Sequence, residues 1–202
     1  MAIDNAAILA ELDSDQLAVV KAITGPVCVI AGAGTGKTRV ITNRIAYAIN
    51  AGVTDPTKVL ALTFTAKAAG EMRARLRALG ISNASARTFH SAALKQLLYF
   101  WPYAFGGQFP SLLTTKSSFI SQAITRAEVA IPAQVNALRE IASEIEWAKV
   151  SQVAPPDFID EISKRSQKPR VAPEQLVQIY TAYESIKKQE LAIDFEDVLF
   201  YQ

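Results

Sequence analysis

The sequence predicts an α/β domain with a parallel sheet, joined to a second domain that is mainly helical. A short apolar run at residues 26–30 precedes a glycine-rich turn and a stretch with helical spacing of apolar residues. A second apolar run at residues 58–63 is followed by another helical stretch, as expected for parallel strands joined by helices. Beyond about residue 110 the pattern is almost wholly helical, so the strands belong to the N-terminal part.

The composition is that of an ordinary globular protein. The chain has 202 residues, 50% of them hydrophobic and 20% charged, which suits one large or two small domains. The net charge of +2 is too small to indicate a nucleic-acid partner by itself. Cys28 is the only cysteine, which excludes a disulfide framework and favours a reducing, cytoplasmic location. No secretion signal or long apolar run is present, so we expect no membrane partner.

The glycine-rich turn, AGAGTGKT, fits the phosphate-loop pattern. Its glycines permit backbone conformations that direct N–H groups at phosphates, next to the positive end of the following helix. Lys37 would neutralise the outer phosphates and the Thr38 hydroxyl would bind Mg²⁺, which makes these two the candidate catalytic residues. The sequence therefore predicts a nucleoside triphosphate site. Its loop residues are Ala31, Gly32, Ala33, Gly34, Thr35, Gly36, Lys37 and Thr38.

Two polar residues flank this loop, and each has two interpretations. Gln16 stands three residues after Asp13, a pattern typical of a helix cap, although its amide could also bind the edge of adenine. Arg39 could contact the nucleotide or be a solvated helix residue, and spacing alone favours the solvated residue. Gly52 is expected to end the helix that begins after the loop.

The ends of the next two predicted strands carry aromatic and hydroxyl residues. Phe64 and Thr65 follow the strand at 58–63, and Thr65 is the natural cap of a helix closed by Gly80. A weaker strand at 84–89 precedes a helix from about 92 to 99. Because ligands bind at the carboxyl edge of open parallel sheets, we expect these positions to face a ligand.

Other polar residues in this part have a simple structural interpretation. His90 is the only histidine, so it cannot make a metal site or a conventional triad. A structural histidine is the simplest interpretation, but the position of His90 after a strand favours a ligand-facing role. The arginines of the helix before Gly80, among them Arg73, Arg75 and Arg77, are typical of a solvated outer face.

The C-terminal half is predicted to begin with an irregular, aromatic connection at residues 100–110. Helices are expected near residues 115–129, 132–150, 156–165 and 173–190, and a basic loop near 164–170. Asp194 is expected to cap a last helix at 194–201, with Asp197 three residues on. Because the chain stops within this apolar helix, we expect it to be a fragment.

Together these motifs resemble the N-terminal part of a UvrD/Rep/PcrA-type superfamily 1 DNA helicase. Five blocks in the right order carry the resemblance: LDSDQLAVV, AGAGTGKTR, LALTFTAKAAGEMRARL, ARTFHSAAL and LAIDFEDVL. They are similar to the family's Q motif, motifs I, Ia and Ib, and the segment just upstream of motif II. The combination of TFTAKAAGEMR with TFHS is far more specific than a phosphate loop alone.

The resemblance implies a partial RecA-like P-loop NTPase domain with a mainly helical inserted domain. Residues 1–95 would be the N-terminal part of the ATP-binding domain 1A, and residues 96–190 the helical domain 1B. Residues 191–202 would return to domain 1A and stop before motif II.

The resemblance also implies ATP and Mg²⁺ as cofactors, with Gln16 reading adenine and Arg39 lying against the nucleotide. Its partners would be single-stranded DNA and single-strand/double-strand junctions, with 3′-to-5′ translocation in DNA repair or replication. Stacking of bases on aromatic rings and hydroxyl contacts to phosphate are typical of a surface that binds single-stranded DNA, called the DNA track below. The residues that would line it are Phe64, Thr65, Lys67, Thr88, Phe89 and His90.

The sequence contains no DExx motif after an apolar strand, so we expect little or no ATP hydrolysis and no unwinding by these residues alone. One alternative is the helicase subunit of an AddA/RecB-type helicase–nuclease. Another is a truncated, non-hydrolysing P-loop binding module. A small-molecule P-loop kinase would leave TFTAKAAGEMR and TFHS unexplained.

Overall fold

The computed structural model describes residues 4–131 and 136–201, which form two compact units, Met1–Ala92 and Ala93–Gln202. The first unit alternates helices and strands. Its elements are α1 (Asn5–Leu9), α2 (Ser14–Lys21), α3 (Lys37–Asn50), a 3₁₀ turn (Pro56–Lys58), β1 (Leu60–Thr63), α4 (Ala66–Ala78) and β2 (Ser85–Thr88). The next helix, α5 (Phe89–Ala104), begins directly after β2.

The helices of the first unit end where their glycines predict. Gly52 has a φ of 69° and follows α3, and its N–H donates to the Ile49 carbonyl at 3.0 Å. Gly80, with a φ of 71°, closes α4 in the same manner. A left-handed residue here lets the last turn satisfy its own carbonyls, and glycine adopts that conformation without a Cβ clash. Both helix ends are confirmed.

β1 and β2 form a parallel pair. Leu60 lies opposite Ser85 and Thr63 lies opposite Thr88, so both strands end at the same edge. The strands contribute small residues, Ala61 and Ala86, to a core completed by helical side chains. That core consists of Ile8, Ala46, Ala61, Met72, Leu76, Ile81 and Ala86. The parallel pairing confirms the predicted fold class.

The prediction of a buried strand at residues 26–30 is wrong for this structure. The segment forms no strand within the described residues, and Ile30 is 97% exposed. A buried parallel strand needs a hydrogen-bonded neighbour and a layer on each face, whereas the described ladder of this unit joins only β1 and β2. The apolar pattern favours an extended strand, but it does not supply the neighbouring strand that a ladder needs. Cys28, expected inside that strand, is accordingly exposed.

The second unit is mainly helical, as predicted. Apart from most of α5, its elements are β3 (Ser111–Leu112), α6 (Ser117–Arg126), α7 (Ala137–Val150), a 3₁₀ turn (Pro155–Asp157), α8 (Phe158–Ser163), α9 (Pro173–Gln189), β4 (Ala192–Ile193) and α10 (Asp197–Phe200). Pro173 occupies the first turn of α9, where its missing N–H is not needed. Pro132, predicted to start a helix, lies outside the described residues.

The core of this unit lies among α6, α7, α8 and α9. Its largest fully buried side chains include Phe158 and Tyr183, 1% and 0% exposed, respectively. Apolar residues at helical spacing on α7 and α9, among them Ile141, Ile145 and Ile179, complete it. The predicted apolar faces of these helices therefore meet one another.

The aromatic segment after residue 99 differs from the prediction. An irregular connection was expected at residues 100–110, yet α5 continues to Ala104 through Pro102. Trp101 packs against Phe105 and Phe109, with ring centroids 4.4 Å and 5.2 Å apart. Ring packing favours this arrangement and offsets the hydrogen bond that proline removes. Local composition indicated an interruption that these ring contacts override.

The chain end forms a short parallel ladder that the sequence did not predict. Ser111 pairs with Ala192 and Leu112 pairs with Ile193. Past this ladder, Asp194 Oδ1 accepts from the Asp197 N–H at 3.0 Å, and Asp197 Oδ2 accepts from the Asp194 N–H at 2.9 Å. This reciprocal pairing has the hydrogen bonds of a capping box, but it closes the turn before α10. The expected cap and helix start are therefore shifted, because α10 begins only at Asp197 and has Glu196 as its N-cap. Among the described residues, no helix is both long and apolar enough to cross a membrane.

Candidate nucleotide and DNA sites

The glycine-rich loop owes its shape to two left-handed residues. Gly34 and Gly36 have φ angles of 78° and 79°, and Gly36 is the N-cap of α3. A Cβ on Gly36 would lie at ordinary contact distance, 3.4 Å, from Gln16 Nε2, so the left-handed conformation is what favours glycine there. The loop consequently leads directly into the N-terminus of α3, where backbone N–H groups favour an anion.

Lys37 lies back over the start of this loop. Its ammonium donates to the carbonyl of Ala31 at 3.1 Å and also to that of Gly32. The Thr35 hydroxyl donates to the same Gly32 carbonyl at 2.9 Å. These bonds hold a positive charge beside the loop. The Thr38 side chain is half-buried, and its hydroxyl has no hydrogen bond to any residue that the structure describes.

Gln16 contacts the loop with its side chain and the helix cap with its backbone. Its N–H donates to Asp13 Oδ1 at 2.9 Å, so Asp13 caps α2. Its Nε2 donates to the Thr35 carbonyl at 3.2 Å, and its Oε1 accepts from Arg39 Nη2 at 2.9 Å. The cap uses only the backbone of Gln16, so its side chain is free of the cap and lies at the loop. Its role in reading adenine stays a prediction.

Arg39 carries a polar atom whose hydrogen-bonding capacity is unused. Its Nε is buried without a hydrogen-bond partner in the described structure, and it lies 3.8 Å from the position of a Cβ on Gly36. A distant ion pair with Glu11, at 4.0 Å, involves a different nitrogen. Because an unpaired buried donor is costly, this N–H is a polar group whose hydrogen bond is not made in the described structure.

Two clefts adjoin the loop. The larger, about 640 Å³, includes Ala31, Gly32 and Lys37 in its lining. The second, about 550 Å³, is here called the Gln16 cleft. Both volumes suit a small-molecule ligand. The Gln16 cleft is lined by Asp13, Gln16, Gly34, Thr35, Gly36, Arg39 and Arg75.

Phe64 and Phe89 form an exposed aromatic pair at the carboxyl edge of the β1–β2 ladder. Their ring centroids lie 5.2 Å apart, and the ring planes meet at 39°. Phe64 is 87% exposed and Phe89 is 43% exposed. The parallel register brings them together because each directly follows the last residue of its strand. The expected meeting of these two positions at one edge is confirmed.

The other four predicted DNA-binding residues lie in the first turns of α4 and α5 or just before them. Thr65 Oγ1 accepts from the Ala68 N–H at 3.1 Å and caps α4. Thr88 Oγ1 accepts from the Ser91 N–H at 3.1 Å. Lys67 is exposed on α4, and His90 is half-buried in the first turn of α5. All six therefore belong to the first unit, near the same strand ends.

A buried ion network in the second unit was not foreseen. Asp194, fully buried, accepts from Lys149 Nζ at 2.7 Å, from Lys187 Nζ at 3.0 Å and from the Tyr183 hydroxyl at 3.0 Å. Glu184 and Asp197 also contact both lysines. The sequence offered only the spacing of the two aspartates as a signal, because Lys149 lies 45 residues before Asp194 and Lys187 is on a separate helix.

Charge pairing governs the titration of this network. Burial alone would raise the pKa of Asp194, but attraction to Lys149 and Lys187 and their hydrogen bonds lower it on balance. Burial likewise opposes the charged form of Lys149, yet Asp194, Glu184 and Asp197 raise its pKa. Burial, followed by the charge of Glu184, raises the pKa of Tyr180 to about 12. The carboxylate of Asp194 and the ammonium of Lys149 are thus held in their charged forms.

The glycine loop at the start of α3 and the parallel β1–β2 pair define a partial RecA-like phosphate-loop domain of the α/β class. The chain belongs to the UvrD/REP helicase family, because residues 12–202 match the family described as UvrD/REP helicase N-terminal domain.

Several helicases are similar to this chain. It is 39% identical to the ATP-dependent DNA helicase UvrD2 of Mycobacterium tuberculosis (strain ATCC 25618 / H37Rv), over 100% of this chain and 30% of that protein. It is 31% identical to the ATP-dependent DNA helicase PcrA of Leuconostoc citreum, over 93% of this chain and 25% of that protein. The PcrA of Staphylococcus aureus (strain Mu50 / ATCC 700699) is 44% identical over 45% of the chain and 13% of its own length. The chain thus spans less than a third of the length of these relatives.

Proposed function

We propose that this chain is the ATP-binding and single-stranded-DNA-binding part of an ATP-dependent 3′-to-5′ DNA helicase that acts in DNA repair or replication. The observation that carries the proposal is the pairing of Phe64 with Phe89 in the same compact unit as the phosphate loop. One unit would then bind both the nucleotide and the DNA, and the nucleotide would control how tightly the DNA is bound. The similar proteins are named ATP-dependent DNA helicases, which supports ATP and DNA as the two ligands.

The nucleotide part of the proposal is supported by the loop geometry. The N-terminus of α3 favours phosphate, and Lys37 supplies a nearby positive charge. The Gln16 amide, which bonds to Thr35 and Arg39 at the loop, would exchange these contacts for a purine edge. Arg39, in the first turn of α3, lines the Gln16 cleft beside the loop. ATP is therefore the proposed ligand, held by the phosphate-loop residues 31–38.

Mg²⁺ is the proposed metal. The Thr38 hydroxyl, which makes no hydrogen bond to a described residue, fits an oxygen ligand for this cation. When bound, the metal would neutralise phosphate charge. Thr38 would orient it, and Lys37 would hold the phosphates from the loop side.

The DNA part of the proposal depends on exposed aromatic rings. Single-stranded nucleic acid binds by base stacking on such rings, with basic and hydroxyl groups along the backbone. Phe64 and Phe89 would stack bases, while Lys67 would face phosphates and Thr65, Thr88 and His90 would line the track. Because every base has a π face, such binding would not depend on sequence.

We also propose the domain boundaries and setting that the family resemblance implies. Residues 1–95 would belong to domain 1A and residues 96–190 to domain 1B, with residues 191–202 returning to domain 1A. The substrates would include single-strand/double-strand junctions. A cytoplasmic location follows from a DNA substrate in a reducing compartment, consistent with the single unpaired cysteine.

The nucleotide site is tested by equilibrium ATP binding with and without Mg²⁺, measured by titration calorimetry. Lys37→Ala should weaken ATP binding at least tenfold, because a charge-assisted contact to phosphate contributes about 1.5–3 kcal/mol. The matched control is Lys58→Ala, an exposed lysine outside the loop, which should bind ATP as the unchanged chain does. Equal affinities for all three proteins would contradict the proposed site.

A further inference from the structure

Three arginines of α4 have three different surroundings, although the sequence suggests one solvated face. Arg73 Nη1 donates to the Ala86 carbonyl at 2.7 Å and so fastens α4 to β2. Arg77 is exposed and lines neither cleft beside the phosphate loop. Arg75 alone among them lines the Gln16 cleft. Helical geometry explains why Arg75 differs from the other two, because residues two apart point to opposite sides of a helix whereas residues four apart share a side.

The guanidinium of Arg75 is available for a ligand. No hydrogen bond or ion pair to this side chain occurs within residues 4–131 and 136–201. The only carboxylate lining the Gln16 cleft is that of Asp13, and its Oδ1 already accepts from the Gln16 N–H. Together with Arg39, Arg75 makes this cleft cationic, with planar groups that suit planar ligands.

The position of the cleft indicates which end of a nucleotide would enter it. Lys37, the proposed phosphate contact, lines the other cleft. Gln16, the proposed adenine contact, lines both clefts, whereas Arg39, proposed to lie against the nucleotide, lines only this one. The base and ribose would therefore occupy the Gln16 cleft.

We propose that Arg75 is a further nucleotide-binding residue, which contacts the base or ribose of ATP from α4. This inference rests on the proposed nucleotide site. A guanidinium can stack on a purine face or donate hydrogen bonds to ring nitrogens and ribose hydroxyls. Arg75 would thus add affinity for the nucleoside part and none for the triphosphate part.

The test measures binding of ATP and of inorganic tripolyphosphate to the 202-residue chain and to Arg75→Ala, Arg75→Lys and Arg77→Ala. Arg75→Ala should bind ATP about threefold to tenfold more weakly, the range expected for losing a partly desolvated cation–π contact. Its affinity for tripolyphosphate should be unchanged. Arg75→Lys should recover little of the loss, because an ammonium lacks the planar fork, and Arg77→Ala should bind both ligands normally. Circular dichroism confirms that each variant is folded.

Four results would overturn the inference. An unchanged ATP affinity in Arg75→Ala would show that Arg75 does not contact the nucleotide. An equal loss for ATP and tripolyphosphate would place Arg75 at the phosphates instead. The same loss in Arg77→Ala would indicate a general effect of charge. If the unchanged chain bound neither ligand, the proposed nucleotide site would fail together with this inference, whereas the other three results would leave that site intact.

Discussion

Single residues near the phosphate loop combine structural and proposed functional roles. Gln16 uses its backbone N–H in the cap of α2 and its side chain at the loop. Thr65 and Thr88 use their hydroxyls in caps while they stand at the proposed DNA edge. The residue types were foreseen from sequence because caps and phosphate loops have short, local patterns. The contact of Gln16 with Arg39 depends on the packing of α2 against α3, which no local pattern specifies.

The two roles at Gln16 can be separated by substitution. Gln16→Ala should weaken ATP binding while leaving the thermal stability nearly unchanged, because the cap uses its backbone. Asp13→Ala should instead lower the free energy of unfolding by about 1 kcal/mol, since it removes the capping oxygen. Calorimetric ATP titration and thermal melts distinguish these effects. Equal destabilisation by both changes, with unaltered ATP binding, would contradict the assignment.

Elements differ in how far their sequence determines them. α3, α4 and α9 begin and end close to their predicted positions, because glycine, threonine and proline signals lie at their ends. The segment at residues 26–30 fails as a strand because a ladder needs a partner that its own sequence does not contain. The same dependence on distant partners explains why the β3–β4 ladder was missed.

The ion network links α7, α9 and the segment before α10 in the second unit. Lys149 belongs to α7 and Lys187 to α9, and both contact Asp194 next to β4. Each buried charge is paired, which is the condition under which burial is tolerated. Removing Asp194 would take a buried carboxylate from both lysines and the acceptor from the Tyr183 hydroxyl. The network therefore holds the short chain end against the helices.

Asp194→Asn should strongly destabilise the second unit. We expect a loss of about 3–5 kcal/mol in the free energy of unfolding, because two buried ammonium groups lose their shared carboxylate. Urea unfolding followed by circular dichroism measures this loss. The control is Asp160→Asn on α8, an exposed carboxylate whose loss should change stability by about 0.5 kcal/mol or less. Similar small effects of both substitutions would show that the network contributes little.

The same carboxylate predicts an acid dependence. The folded-state pKa of Asp194 is lowered below its ordinary value of 3.8, so its contribution to stability is complete above that pH. It is lost as the pH falls below that value toward the folded-state pKa. The Asp194→Asn chain should therefore lose less stability between neutral pH and pH 3 than the unchanged chain.

At the scale of the whole molecule, the family and the fold class followed from motifs in order, whereas the sites remain proposals. The chain spans 30% of the length of its UvrD2 relative in Mycobacterium tuberculosis, so the complete helicase cycle is a proposal here. Within the described residues, the acids lining the two clefts beside the loop are Asp13 and Asp15. Asp13 is already engaged as a helix cap.

We expect the 202-residue chain to bind ATP without hydrolysing it at an appreciable rate. Phosphoryl transfer needs a positioned water and charge stabilisation opposite the loop, beyond what Lys37 and Thr38 supply. Phosphate release with and without single-stranded DNA measures this. DNA-stimulated hydrolysis that disappears in Lys37→Ala would contradict the expectation.

The most direct test of the proposed function is single-stranded DNA binding by Phe64→Ala, measured by fluorescence anisotropy with a labelled oligonucleotide. Loss of one stacking ring should cost about 1–3 kcal/mol of binding free energy. The matched control is Tyr103→Ala, because Tyr103 is 81% exposed and Phe64 is 87% exposed, and Tyr103 lies outside the proposed track. We predict weaker binding of single-stranded DNA for Phe64→Ala alone. Unchanged affinity in Phe64→Ala, or an equal loss in Tyr103→Ala, would contradict it.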